Sequence, residues 1–249
     1  MKVFQRVRTD SPNTFTPLDA RLITPISPTW HYPIFERAIE MNTPSPLACG
    51  LDLGSFKPST ITLVEGPSRF VPDLLLSLCA HTAGQLEQDV VFVDGGNSFN
   101  PYTLRNISKV LQADTKTVMA KTHVARAFTE YQMNDLLTQQ LPCAIEKWQP
   151  GLLAVAYLPH LFGRIHTRKL LDQAVEHLEE YTRTHGLVTI ITSYGGTWWG
   201  ARLIEECAGR VIRVVQHRKL FRIMDENDVL EFTPIPPGQM QLSAYTAVV

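Results

Sequence analysis

ITLVEGPSRFVPDLLLSL, from Ile61 to Leu78, lays out a strand, a glycine turn and the start of a helix. The apolar run Ile61 to Val64 ends in Gly66, and a helical apolar pattern resumes at Leu74. A phosphate-binding loop, G-x-x-x-x-G-K-S/T, occupies this kind of junction. Counted from Gly66, its second glycine falls on Val71, its lysine on Pro72 and its hydroxyl on Asp73. None of these side chains neutralises a triphosphate, and a proline removes a backbone N–H from a nest that works through such groups. Taken alone, the stretch also fits an ordinary strand–turn–helix that never bound phosphate.

Outward from this junction the chain alternates. Short apolar strands are expected at 61–65, 90–94, 151–158 and 187–193, with a shorter one near 123–128. Helical patterns lie between them at about 71–84, 101–112 and 130–148. The clearest helix is expected from Thr167 to Thr184, where Leu170, Leu171, Ala174, Val175, Leu178 and Tyr181 recur on one face. Gly186 is its natural stop. Such alternation implies an α/β fold, a mainly parallel twisted sheet with helices on both faces. Beyond Tyr194 the pattern changes, and Arg210 to Met224 with Val229 to Phe232 reads as a C-terminal antiparallel β meander.

Composition sets looser bounds. The 249 residues are 44% hydrophobic, enough for one large globular domain with a short extension. Residues 1–58 hold eight of the 17 prolines and read as a proline-rich arm or linker, leaving 59–249 as the core. No apolar run approaches membrane-spanning length, and MKVFQRVRTD lacks the apolar segment of a signal peptide. Cys49, Cys79, Cys143 and Cys207 form no C-x-x-C pair and read as thiols in a reducing, cytoplasmic compartment. A net charge of −1 argues against a protein held to nucleic acid mainly by bulk electrostatics. His160, His166, His177 and His185 lack zinc spacing. No metal and no cofactor is expected.

Several strings together resemble the ATPase core of the RecA/RadA recombinases, closest to the archaeal and eukaryotic branch. ITLVEG is similar to that family's strand into the phosphate loop. VVFVDGGNSFNPYTLRNISK resembles its second strand and following helix, typically I-D-T-E-x-T-F-x-P-x-R. THVARAFTEYQM resembles its V-A-R-A-F segment, GLLAVAYLPHLF its Walker B strand, and LVTIITSYGGTWWGAR its last core strand. The resemblance runs from about Leu51 to Phe232 and implies a RecA-like core. Carried across position by position, the water-activating carboxylate falls on Gly96 and the metal-holding aspartate on Ala156. The γ-phosphate-sensing glutamine falls on Tyr194. Phosphoryl transfer rests on positioning and charge stabilisation, so the resemblance implies a pseudo-ATPase with no catalytic residue. Asp94, Asn97 and Ser98 read as turn or cap residues.

The implied role is that of a non-catalytic recombinase paralogue. It assists homologous recombination or DNA repair by binding a recombinase or another paralogue, in the cytoplasm near the nucleoid, or in a eukaryotic nucleus. Phe35 and Ala38, in PIFERAIEM, match the F-x-x-A pattern by which this family docks protomer to protomer. With 11 phenylalanines in 249 residues the pattern is expected about once by chance, so location before the core carries the reading. A second class of function is a single-stranded DNA-binding module, through Arg164, Arg168, Lys169 and Arg218. These belong to two basic groups, one of which, Arg210 to Arg222, contains no acid. A charge-protected strand edge explains that group equally well, and Trp198 and Trp199 fit either base stacking or packing. A third is a nucleotide-binding enzyme or sensor with a rebuilt pocket.

Overall fold

The computed structural model describes residues 5–8, 56–66, 70–162, 167–195, 200–218, 220–225 and 228–232. Its strands are β1 (Gln5–Arg8), β2 (Thr60–Glu65), β3 (Val90–Asp94), β4 (Thr122–Arg126), β5 (Leu152–Ala156), β6 (Val188–Ser193), β7 (Arg210–His217), β8 (Leu220–Asp225) and β9 (Asp228–Phe232). They form one sheet in the order β1-β9-β8-β7-β2-β6-β5-β3-β4. The strands from β7 to β4 run parallel, while β8, β9 and β1 add an antiparallel edge.

The central strands are buried on both faces, which explains their continuous apolar runs. Alternate side chains feed two cores. Val64, Phe92, Ala154 and Ile190 meet α1 (Phe70–Gly84), α2 (Pro101–Val110) and α3 (Thr115–Lys121) through Leu74, Leu78, Leu104 and Val118. Leu63, Val93, Val155 and Ile191 meet the opposite helices through Met133, Leu137, Leu171, Leu178 and Ile204. These helices are α4 (Glu130–Asp135), α5 (Leu141–Trp148), α6 (Leu158–Leu161), α7 (Arg168–Thr184) and α8 (Ala201–Cys207). The split follows from connection handedness. The chain steps from β2 to β3 to β4 in one direction and returns through β5, β6 and β7, so right-handed crossovers put the two helix sets on opposite faces.

Local chemistry accounts for the element ends. Asn100 caps α2 through the N–H groups of Tyr102 and Thr103, and Pro101 occupies a first-turn position that needs no donor. A π-helical turn, Leu136–Gln140, joins α4 to α5. Pro142 lacks the N–H that Thr138 O would accept, and its ring crowds that carbonyl, so the ladder widens there. Gly186 ends α7 at φ +65°, with Leu187 N–H donating to Thr182 O at 3.0 Å.

The structure differs from the sequence reading in four places. β7 is parallel to β2, so it closes the parallel sheet as well as opening the meander. The seven-residue α3 and α8 show too few apolar repeats for a period, having one buried position each, Val118 and Ile204. The four-residue α6 is shorter still. β1, inside the proline-rich arm, pairs with β9 through backbone groups that its side-chain pattern does not advertise. No helix among the described residues is long and apolar enough to cross a membrane.

One core group makes stability depend on pH. His81 of α1 is 2% exposed, and burial lowers its pKa to about 4. The unfolded chain therefore binds the extra proton first, and stability falls as pH drops through the window from 6.5 towards 4. Denaturant unfolding should show a loss of about 2 kcal/mol between pH 7 and pH 5, which His81→Leu abolishes. An unchanged pH slope in that variant refutes the assignment.

Candidate functional site

Ligands of open parallel sheets bind beyond the strands' carboxyl ends, where neighbouring connections leave to opposite faces. Here such crevices lie at β2–β6, β5–β3 and β3–β4. Every position that the resemblance marks as catalytic lies along this edge.

Gly66 follows β2 and donates its N–H to Ser193 O at 3.1 Å. A Cβ at this position would stand 2.7 Å from Val214 Cβ and 2.9 Å from Val214 O. The glycine is thus required by the close passage of β7, a reason that needs no phosphate. In the first turn of α1, Val71 is fully buried in the core. Asp73 keeps contact with solvent, although desolvation by its surroundings raises its carboxyl pKa. Its acid suits a helix N-terminus but has the sign of a phosphate.

Asp94, at the end of β3, is 0% exposed and fully engaged. Its Oδ1 accepts from Gly96 N–H (3.2 Å), Ser98 N–H (2.9 Å) and Ser98 Oγ (3.1 Å). Its Oδ2 accepts from Phe99 N–H (3.0 Å) and Arg126 Nε (3.1 Å). Arg126 also donates to Phe99 O at 2.7 Å. The carboxylate holds the β3–α2 loop in shape, with Asn97 at φ +51°, and its lone pairs are spent on that work.

The space beyond Gly96 belongs to a tyrosine. A Cβ on Gly96 would lie 2.5 Å from Tyr157 Cδ2 and 2.9 Å from its Cγ. Tyr157 follows Ala156 in a left-handed conformation (φ +53°), and its N–H donates to Thr192 Oγ1 at 3.0 Å. Its ring is 1% exposed and stacks on Tyr194, with centroids 4.0 Å apart and planes 17° apart. His160 meets Tyr194 edge-on at 5.4 Å. Among the described residues the Tyr157 hydroxyl has no hydrogen-bond partner. Burial, then Tyr194, Asp73 and Asp94, push this phenol above its ordinary range, so it stays neutral. Burial and Asp94 raise the Tyr194 phenol as well.

The two arginines described at this edge are held by carboxylates. Arg126 serves Asp94, and Arg213 lies 3.2 Å from Glu65 and 2.6 Å from Glu205. Burial raises the Glu65 pKa, and Arg213 offsets part of that rise. The assembled edge is an aromatic plug over a closed hydrogen-bond network. It packs and presents Tyr194, with the exposed Asp73 and His160 beside it. Residues 67–69 of the preceding loop lie outside the described residues, and the described residues contain no metal-holding cluster.

Of the other expected site residues, Arg168, Lys169 and Arg218 are described. Phe35, Ala38 and Arg164 lie outside the described residues, as do Trp198, Trp199 and Lys219. Arg168 and Lys169 are exposed in the first turn of α7, with Arg168 3.9 Å from Asp172. Arg218 is exposed at the β7–β8 turn, at φ +56°. The rest of the basic run is spent on cross-strand pairs: Arg210 with Asp225 (2.9 Å) and against the Phe56 ring, Arg222 with Glu231 (2.6 Å). Sequence reasoning missed Tyr157 altogether. Its only local sign is an aromatic residue directly after an apolar strand, where a ligand-binding edge normally keeps a small or polar one. No family model matches the chain, and no curated protein matches it in sequence.

Proposed function

We propose that this chain is a recombinase-like pseudo-ATPase with a RecA-like core, acting in homologous recombination or DNA repair through protein contacts. The observation that carries the reading is the Tyr157–Tyr194 stack over Gly96. A ring occupies the place that a water-activating carboxylate needs, and the nearby Asp94 is consumed by its own loop. Among the described residues both arginines of this edge are engaged by carboxylates, which leaves phosphoryl transfer no unpaired arginine there. What remains is a rigid α/β body suited to presenting surfaces, with the arm around Phe35 and Ala38 as its anchor on a recombinase-fold partner.

Calorimetric titration with ATP and Mg²⁺ should give no saturable heat, and purified protein should show no turnover above buffer. Micromolar binding that is altered by Tyr194→Ala overturns the pseudo-ATPase reading. In parallel, affinity capture from a native lysate should recover a recombinase-fold partner. Phe35→Ala should lose about 2–4 kcal/mol of that association, as buried aromatic anchors do, at unchanged melting temperature. Loss of melting temperature with capture intact would place Phe35 in this chain's own core and sink the docking arm.

A further inference from the structure

Among the described residues, the aromatic edge keeps two polar groups without a partner. Glu65 and Glu205 are matched by Arg213, and Asp94 by Arg126. Asp73, exposed in the first turn of α1, enters no side-chain hydrogen bond or ion pair with any described residue. Its charge reaches the Tyr157 phenol, whose buried hydroxyl is the second unpartnered group. Between them stands Tyr194, stacked on Tyr157 through one face, edge-on to His160, and still 43% exposed. Four carboxylates against two arginines leave the described part of this edge with an excess of negative charge beside an exposed ring.

We propose that this edge accepts a guanidinium cation, stacked on Tyr194 and paired with Asp73, with the Tyr157 hydroxyl oxygen as a further acceptor reached when the Tyr194 ring tilts. A guanidinium is planar, so it lies on an aromatic face while its N–H groups point sideways at acceptors. A quaternary ammonium would cover the ring but donate to neither oxygen. A divalent metal needs more oxygen ligands than the single unpaired carboxylate described here. Asp73 also offsets the positive end of α1, which by itself would disfavour a cation. The inference rests on the reading of this edge as one that takes no nucleotide, and it assigns the opposite charge as its ligand. A free guanidino compound and an arginine side chain carry the same group.

The test is an NMR titration of the ¹⁵N-labelled full chain at constant ionic strength, with agmatine in one arm and doubly capped arginine in the other. Saturable shifts are expected at Tyr194 and in the first turn of α1, with half-saturation at about 1–10 mM, as suits a single small group. Tighter binding of agmatine points to a free compound, and tighter binding of capped arginine to a side chain of a partner. Asp73→Asn should weaken binding about tenfold and Tyr157→Phe about threefold. Tyr194→Leu should weaken it about fivefold. Equal melting temperatures of Asp73→Asn and the unaltered chain show that the fold is retained. The proposal is overturned if neither probe gives saturable shifts, if tetramethylammonium binds as tightly, or if the three variants bind like the unaltered chain. Arg69 precedes Asp73 by four residues and lies outside the described ones. Binding that appears only in Arg69→Ala would make the chain's own arginine the occupant and refute an external ligand. Silence of both probes with no ATP heat sinks this inference alone, whereas micromolar ATP binding altered by Tyr194→Ala sinks the pseudo-ATPase reading beneath it.

Discussion

Asp94→Ala should cost about 3–5 kcal/mol of folding stability, measured by denaturant unfolding. The carboxylate is fully buried and accepts from three backbone N–H groups, one hydroxyl and one guanidinium. Charge-assisted bonds of this kind contribute about 1.5–3 kcal/mol each when removed singly, and losses around one carboxylate overlap, so the sum is not reached. The alanine leaves the N–H groups of Gly96, Ser98 and Phe99 without an acceptor. It frees Arg126, whose side chain reaches solvent and therefore adds little to the loss. Asp94→Asn keeps the shape and one acceptor oxygen, and should lose roughly half as much. A metal-ligand role predicts something else: both variants would be as stable as the parent without Mg²⁺ and would differ only in its presence. An Asp94→Ala protein within 1 kcal/mol of the parent, on that order, would show that the loop is held by other contacts.

The second large effect is expected from Gly96→Glu, the substitution that puts back the carboxylate implied by the family resemblance. It should destabilise the protein by about 3 kcal/mol or more and restore no ATP turnover. Its Cβ alone overlaps the Tyr157 ring at 2.5 Å, and the ring has Tyr194 stacked behind it. The added carboxylate would also enter beside the buried Asp94. Tyr157→Ala by itself should cost about 3–5 kcal/mol, as loss of a buried aromatic ring does. Combining the two should cost less than their sum by over about 1 kcal/mol, because the glutamate then occupies the emptied space. Tyr157→Phe is the control. It removes only the unpartnered hydroxyl and should leave stability equal or slightly higher. Strict additivity of Gly96→Glu and Tyr157→Ala would mean that the ring does not fill the place next to Gly96.

Much of this was readable from local pattern. The continuous apolar runs of β2, β3 and β5 announced strands covered on both faces, and the stripe of α7 with Gly186 behind it announced a helix and its end. Such features depend on covalent neighbours: pleat, helical period and backbone freedom act over one to four residues. That Pro72, Gly96 and Ala156 carry no charge was equally plain, since an absence of charge needs no partner to be seen.

Strand order and register supplied the rest. Gly66 is glycine because β7 passes within 3 Å of its missing Cβ, and β7 arrives from the far end of the chain. The run from Arg210 to Arg222 looks like a free cationic face until antiparallel pairing brings Asp225 and Glu231 opposite its arginines. Tyr157 says nothing by itself; it becomes a plug because β5 lies between β3 and β6, which brings Gly96 and Tyr194 to its ring. Periodicity is a property of neighbours along the chain, and occupancy of a space is a property of neighbours across it. The second is absent from any local window, since packing is decided by which distant segments a buried sheet places side by side.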